Sequence, residues 1–340
     1  MNKNRTLSLS ITGFSMVLLI LDTKIALTAA LQGIDLCLKA VIPSLFPFYF
    51  LSAIINDRLL GTNIKIARPL ACLCKMPEGS ASILLLGLLG GYPVGASCIC
   101  EAYRNGTLKW SQATRMLAFC NNAGPAFLFG MLSAVIVDRT ALWVLWFIHI
   151  LSALLVGMFM PDTDRAAVTV THIPTLTPSQ AMHNSVRNMG SVCGWIVLFR
   201  IILGFCQRWF LWLLPDSARI LLTGILELSN GCLSLGELPC VSQRFLYAAL
   251  FLSFGGVCVS MQTASVIGKL PLKAYISGKL LQTVISFVLA STAQMILFPE
   301  DHMELSVPLL ISITLLLFMT LTKKAVAFRR GMRYNGENEC

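Results

Sequence analysis

Apolar runs of about twenty residues recur along this chain, and they leave it few ways to fold. About twenty apolar residues in a helix span the hydrocarbon core of a bilayer. In lipid every backbone N–H and C=O must be satisfied internally, so only helices or closed barrels cross. Barrel strands would alternate apolar and polar over segments of about ten residues, and these runs do not alternate. Only 12% of the 340 residues are charged, against about 25% in soluble domains, and mean hydropathy is +0.75. The fold class is all-α and polytopic, with the lipid bilayer as solvent.

Two of the apolar runs are interrupted in the first half. Gly90, Gly91, Tyr92, Pro93 and Gly95 break the run 80–100, and Asn121, Asn122, Ala123, Gly124 and Pro125 break 113–137. Gly and Pro end helices, and each backbone group left unpaired in lipid costs several kcal/mol. Such breaks belong where the chain faces protein or a wet cavity. The two arms of 80–100 reach about 15 Å each, half the core, so a re-entrant hairpin is expected there. The second half repeats the rhythm. Glu227 to Gly231 interrupts 218–236, while Gly255 and Gly256 interrupt 245–267 ahead of Ser260, Met261, Gln262 and Thr263.

With spans at 7–21, 41–55, 113–137, 141–160, 186–207, 245–267, 274–297 and 305–321, the expected architecture is about eight transmembrane helices plus two re-entrant hairpins. Five regions follow: an N-terminal span and interfacial segment (1–40), a first gate-like repeat (41–160), a polar linker (161–184), a second gate-like repeat (185–298), and a last span with a basic tail (299–340). Three crossings per repeat is odd, so the repeats are inverted in the membrane. The residues 26–30 loosely resemble a signal-peptidase site, but an uncleaved first span closes the topology. With both termini cytoplasmic, Lys24, Lys39, Arg139, Arg208, Arg219 and Arg244 fall outside and Arg200 lies mid-span. The remainder of the 26 Lys and Arg fall inside, as the positive-inside rule requires. The net charge of +10 is thereby accounted for without nucleic acid.

Asn121, Asn122, Arg200, Glu227, Asn230 and Gln262 are the costly residues within apolar segments, and all but Arg200 make a candidate substrate-binding set. Amides offer paired donors and acceptors, suited to a small polar solute, nucleoside-like or other. Glu227 suits a coupling cation, a solute hydroxyl or a proton. Each alone also fits an ordinary interhelical hydrogen bond. Arg200 reads as a structural partner of an acid or of carbonyls, and His149 as a packed neutral histidine. The twelve Cys lie mostly in apolar runs, and Cys72/Cys74 and Cys98/Cys100 are spaced too closely for a zinc pair. No nucleophile elbow, HExxH, P-loop or paired-acid constellation occurs. No enzyme activity, catalytic residue, metal or cofactor is expected.

Four motifs carry a family resemblance: Gly87-Leu-Leu-Gly-Gly-Tyr-Pro-Val-Gly-Ala96, Phe119-Cys-Asn-Asn-Ala-Gly-Pro-Ala-Phe127, Gly224-Ile-Leu-Glu-Leu-Ser-Asn-Gly231 and Phe254-Gly-Gly-Val-Cys-Val-Ser-Met-Gln262. In this order, over roughly 40–300, they resemble the YlbJ-type sporulation integral membrane proteins. The resemblance implies a nucleoside-recognition or gate domain, as in concentrative nucleoside transporters. It also implies a bacterial inner-membrane location in an endospore former and a need for the protein in spore cortex formation. The chain departs from the family pattern at Ala96-Ser97 and Val257-Cys258-Val259. Two functions remain open: a transporter or permease, and a structural or assembly factor of the spore envelope.

Overall fold

The computed structural model describes residues 3–62, 64–161, 168 and 176–300. The expected last span at 305–321, the basic tail and most of the 161–184 linker lie outside them. Helix α1 (Lys3–Leu21) precedes α2 (Thr23–Leu36). A π turn at Cys37–Val41 joins α2 to α3 (Ile42–Leu59). Instead of a separate interfacial segment at 25–39, one helix runs from Thr23 to Leu59. Pro43 lacks an N–H and its ring presses on the carbonyl four residues back. A widened turn just ahead of it accommodates both without ending the helix.

The short α4 (Arg68–Leu73) leads to α5 (Ala81–Leu89) and α6 (Val94–Arg104), which fold back on one another. Neither is long enough to cross a bilayer. Helices α7 (Trp110–Leu117) and α8 (Pro125–Met131) are separated by irregular backbone at 118–124. Gly124 is extended there, and Pro125 restarts the helix where its missing N–H is harmless. The first half ends with α9 (Arg139–Phe159), whose N-cap Asp138 accepts from Thr140 N–H at 2.8 Å.

The long α10 (Pro178–Trp209) opens the second half, with a capping box of Thr177 and Gln180. A second folded-back pair follows, α11 (Asp216–Leu226) and α12 (Leu228–Ser234). Then come α13 (Val241–Phe254), α14 (Gly256–Ile267) and α15 (Leu272–Leu297). Gly255 and Gly256 between α13 and α14 have φ of +79° and +80°, a region open to glycine at no steric cost. Among the described residues five helices are long and apolar enough to cross a membrane: Thr23–Leu59, Arg139–Phe159, Pro178–Trp209, Val241–Ile267 and Leu272–Leu297.

The order of elements therefore recurs: a long helix, a folded-back pair, a broken helix, a plain helix. Contacts recur with it. α3 meets α10 and α9 meets α15; α6 packs on α14 as α8 packs on α12; α7 packs on α15 as α9 packs on α13. Small residues set these approaches, as is common between membrane helices. A Cβ at Gly33 would stand 3.0 Å from Val197 Cα, and one at Gly204 3.0 Å from Ala29 Cβ, along the α2–α10 seam. Arg115 of α7 clamps one end of the bundle, donating to the carbonyls of Cys74 at 2.8 Å, Gly157 at 2.6 Å and Pro161 at 2.9 Å. Trp143, Trp209 and Trp212 stay exposed near the ends of α9 and α10, as interfacial tryptophans do.

The closest approaches among the described glycines are at Gly87 and Gly95, where an added Cβ would overlap the carbonyl oxygen of Cys120. Gly87→Ala is expected to lower the Tm in detergent by several degrees, since overpacking costs about 1–3 kcal/mol. Gly194→Ala, on α10 with nothing within 4 Å, is expected to leave Tm unchanged or raise it. Equal effects of the two would contradict this packing.

Candidate functional site

The first folded-back pair grips the first break. Gly87 on α5 and Gly95 on α6 both face the Cys120 carbonyl, where neither has room for a side chain. Asn122 N–H donates to Gly87 O at 3.1 Å, and Ala96 N–H donates to Asn121 Oδ1 at 3.3 Å. Backbone that the helix interruption leaves unpaired thus finds partners in the hairpin, as burial demands. The second pair is built alike. Gly224 and Gly231 stand face to face beside the Phe251 ring, and Gly256 lies against the carbonyls of Gly224 and Ile225. Glu227, at the turn, caps α12: Oε1 accepts from Ser229 N–H at 3.0 Å, and Oε2 from Asn230 N–H at 2.7 Å and Asn230 Nδ2 at 2.6 Å.

Both tips and both broken helices meet at one cavity. Gly91 and Tyr92 reach it from the first tip, Ala123 and Gly124 from the first break, Glu227 and Ser229 from the second tip, and Val259 and Gln262 from α14. Its volume is about 40 Å³, room for a few waters. A polar depression of about 330 Å³ opens about one turn away, between Ser97, Glu101 and Arg104 of α6, Asn184, Arg187 and Asn188 of α10, and Ser265 of α14.

Behind the first break lies a buried lysine that the sequence reading did not single out. Gly278 presses against the Ala118 backbone so closely that a Cβ would overlap it. That approach delivers Lys279, 1% exposed, to the interruption. Its Nζ donates to Asn122 Oδ1 at 3.0 Å and Gln282 Oε1 at 2.7 Å, and sits 4.9 Å from the Tyr92 ring centroid and 5.8 Å from that of Tyr275. Gln282 Nε2 donates to Asn122 Oδ1 at 3.1 Å and His149 O at 3.2 Å. Tyr92 Oη donates to Leu252 O at 2.9 Å, tying the first tip to α13.

The five residues of the expected binding set therefore divide. Glu227 and Gln262 line the cavity. Asn121 and Asn122, both fully buried, hold the break together instead: Asn121 Nδ2 donates to Thr263 Oγ1 at 3.2 Å, and Asn122 Nδ2 to Phe119 O at 2.7 Å. Asn230 serves the Glu227 cap. Of the break residues, Gly91, Tyr92 and Gly124 reach the cavity, while Gly90, Pro93, Gly95, Pro125, Gly255 and Gly256 shape the turns around it. Arg200 donates to Gln32 Oε1, the carbonyl oxygen of a side-chain amide, at 2.6 Å. His149 Nε2 accepts from Ala123 N–H at 3.2 Å, which leaves the ring's proton on Nδ1. Lys279 was available to sequence reasoning: counted with the cytoplasmic charges, it lies inside the apolar run 274–297, where an ionisable residue is a functional flag.

Asn122 carries two donors on one oxygen, one of them a buried charge. Asn122→Leu is expected to destabilise the protein by about 3 kcal/mol or more, because it leaves that charge underpaired. Asn230→Ala, which removes one of three bonds to Glu227, is expected to lower Tm much less. Thermal unfolding of the two variants in the same detergent checks this ordering.

No family model and no solved structure matches the chain. It is similar to the sporulation integral membrane protein YlbJ of Bacillus subtilis (strain 168), 24% identical over 341 residues that cover 85% of this chain and 83% of that protein. That similarity runs through most of both chains and accompanies an all-helical fold with membrane-length helices. It makes the chain a homologue of that protein.

Proposed function

We propose that this chain is a transporter or permease for a small polar solute, working in the bacterial inner membrane during sporulation and needed for spore cortex formation. It catalyses no reaction. The observation that carries the reading is the meeting of both hairpin tips and both broken helices at one cavity. Broken helices converging between repeats are the usual substrate site of inverted-repeat transporters. In this reading 41–160 and 185–298 are gate-like inverted repeats, their short helix pairs are re-entrant, and both termini are cytoplasmic. The fold is of the nucleoside-recognition type.

The chemistry of the cavity narrows the solute. Glu227 neutralises the positive end of α12 with its own carboxylate. Among the described residues the lining holds that carboxylate and no Lys or Arg, so a neutral or cationic solute is favoured. The lining is mostly apolar, with Gln262, Ser229 and Ser44 as polar side chains beside Glu227. A solute of nucleoside size needs more than about 40 Å³, so the tips must part to admit it. The polar depression beside α6 and α14 is the natural approach.

The tightness of the cavity and the internal bonding of Glu227, Asn121 and Asn122 favour the second reading, a structural or assembly factor of the spore envelope. Complementation separates the two. In Bacillus subtilis lacking its YlbJ, the wild-type chain is expected to restore heat-resistant spores. Gln262→Leu and Glu227→Gln, at normal membrane levels, are expected to lower the count at least tenfold. Uptake of radiolabelled uridine into proteoliposomes, compared with Glu227→Gln and Asn121→Ala, tests the nucleoside-like case. Full spore counts with both cavity variants would leave the structural reading standing and the site without a function.

A further inference from the structure

Lys279 is enclosed by Asn122, Gln282, Tyr92 and Tyr275, and it has no carboxylate partner among the described residues. Burying an ammonium costs several kcal/mol unless the site replaces its hydration. Here the replacement is specific. The Asn122 and Gln282 oxygens take two of the three ammonium hydrogens, and two aromatic faces surround the remainder. The amide orientations are fixed by their other bonds. Gln282 Nε2 is committed to Asn122 Oδ1 and His149 O, and Asn122 Nδ2 to Phe119 O, so both oxygens must face Nζ. Amide oxygens and ring faces with no formal negative charge are the ligands of a small monovalent cation.

We propose that Asn122, Gln282, Tyr92 and Tyr275 form a monovalent-cation site that the protein fills with its own tethered cation, the Lys279 ammonium. The site holds the first break in place, since Asn122 belongs to that break. It also borders the cavity, since Tyr92 covers Nζ on one side and lines the cavity at the first tip. A free sodium ion cannot enter while Nζ occupies the site. The one ion exchangeable at this position is therefore the proton that Nζ itself carries. The titratable groups around it are the Tyr92 and Tyr275 hydroxyls, the Cys120 thiol and the His149 ring. The use of that proton as a coupling ion rests on the transport reading above; the cation site does not.

The test removes the tether and supplies the ion. Lys279→Ala leaves the amide oxygens and rings with an empty space of side-chain length, while Lys279→Met removes the charge and keeps the space filled. Both are compared with wild type by thermal unfolding in detergent, in methylammonium chloride, sodium chloride and choline chloride at equal ionic strength. Methylammonium is expected to raise the Tm of Lys279→Ala by about 2 °C or more over choline at ten times its Kd, and to leave Lys279→Met and wild type unmoved. The same Tm for Lys279→Ala in all three salts overturns the proposal, as does an equal rise in all three proteins. If Lys279→Ala does not survive extraction, the salts are present from membrane preparation onward and the yield of monodisperse protein is read. Higher yield in methylammonium supports the site, and equal yields overturn it. Rescue by methylammonium alongside full spore counts for the cavity variants would leave the cation site standing and remove the transport reading alone.

Discussion

The interrupted backbone at 118–124 is the constraint on which the rest of the structure depends. A helix that stops inside an apolar bundle exposes N–H and C=O groups that no water reaches, and each must find a partner in protein. The partners here are the Gly87 carbonyl of the folded-back pair, the Asn122 side chain and the imidazole of His149, while the Asn121 side chain in turn accepts from the Ala96 N–H of α6. Gly87, Gly95 and Gly278 exist where they do because those partners must come within backbone-to-backbone distance. The hairpin, the break and α15 are therefore one structural unit, and a side chain added at any of the three glycines disturbs all of it.

The second half solves the same problem with different chemistry. Positive-φ glycines at 255 and 256 turn the chain without amide side chains, and the hairpin turn is held by a carboxylate, Glu227, on its own helix end. The first break is met by a buried lysine from α15, and the second hairpin turn carries a buried carboxylate. The two are not an ion pair: Lys279 is held by amides and rings, Glu227 by N–H groups. Each is balanced locally by oriented dipoles, so neither charge depends on the other for its burial.

Much of this was legible in the residues. Gly90 to Gly95 and Asn121 to Pro125 mark their breaks because Gly and Pro inside apolar runs have few other meanings; Gly255 marks the second broken helix for the same reason, and Glu227 marks the second hairpin turn as a charge inside an apolar run. Less legible was what the polar residues touch. Asn121 and Asn122 look like ligands in sequence, yet their partners come from residues as distant as Thr263, Lys279 and Gln282, and no local pattern encodes those pairings. Lys279 was hidden by its position near the start of an apolar run, where a lysine ordinarily belongs to the loop before it. The continuity of Thr23–Leu59 was hidden as well, because Asp35 and Lys39 suggest an interface; they form an exposed i,i+4 ion pair on a helix that simply continues.

Thiol labelling on intact cells tests the central claim most directly: short helix pairs that enter the membrane and return on the side they came from, the second pair from the opposite side to the first. Single cysteines at position 106, beyond α6, and position 216, the first residue of α11, are compared with the native exposed Cys72, before α5, using a membrane-impermeant maleimide before and after lysis. Inverted hairpins require that 72 and 106 label only after lysis and that 216 labels in intact cells. Labelling of 106 in intact cells while 72 stays protected would make α5–α6 a crossing and contradict the architecture.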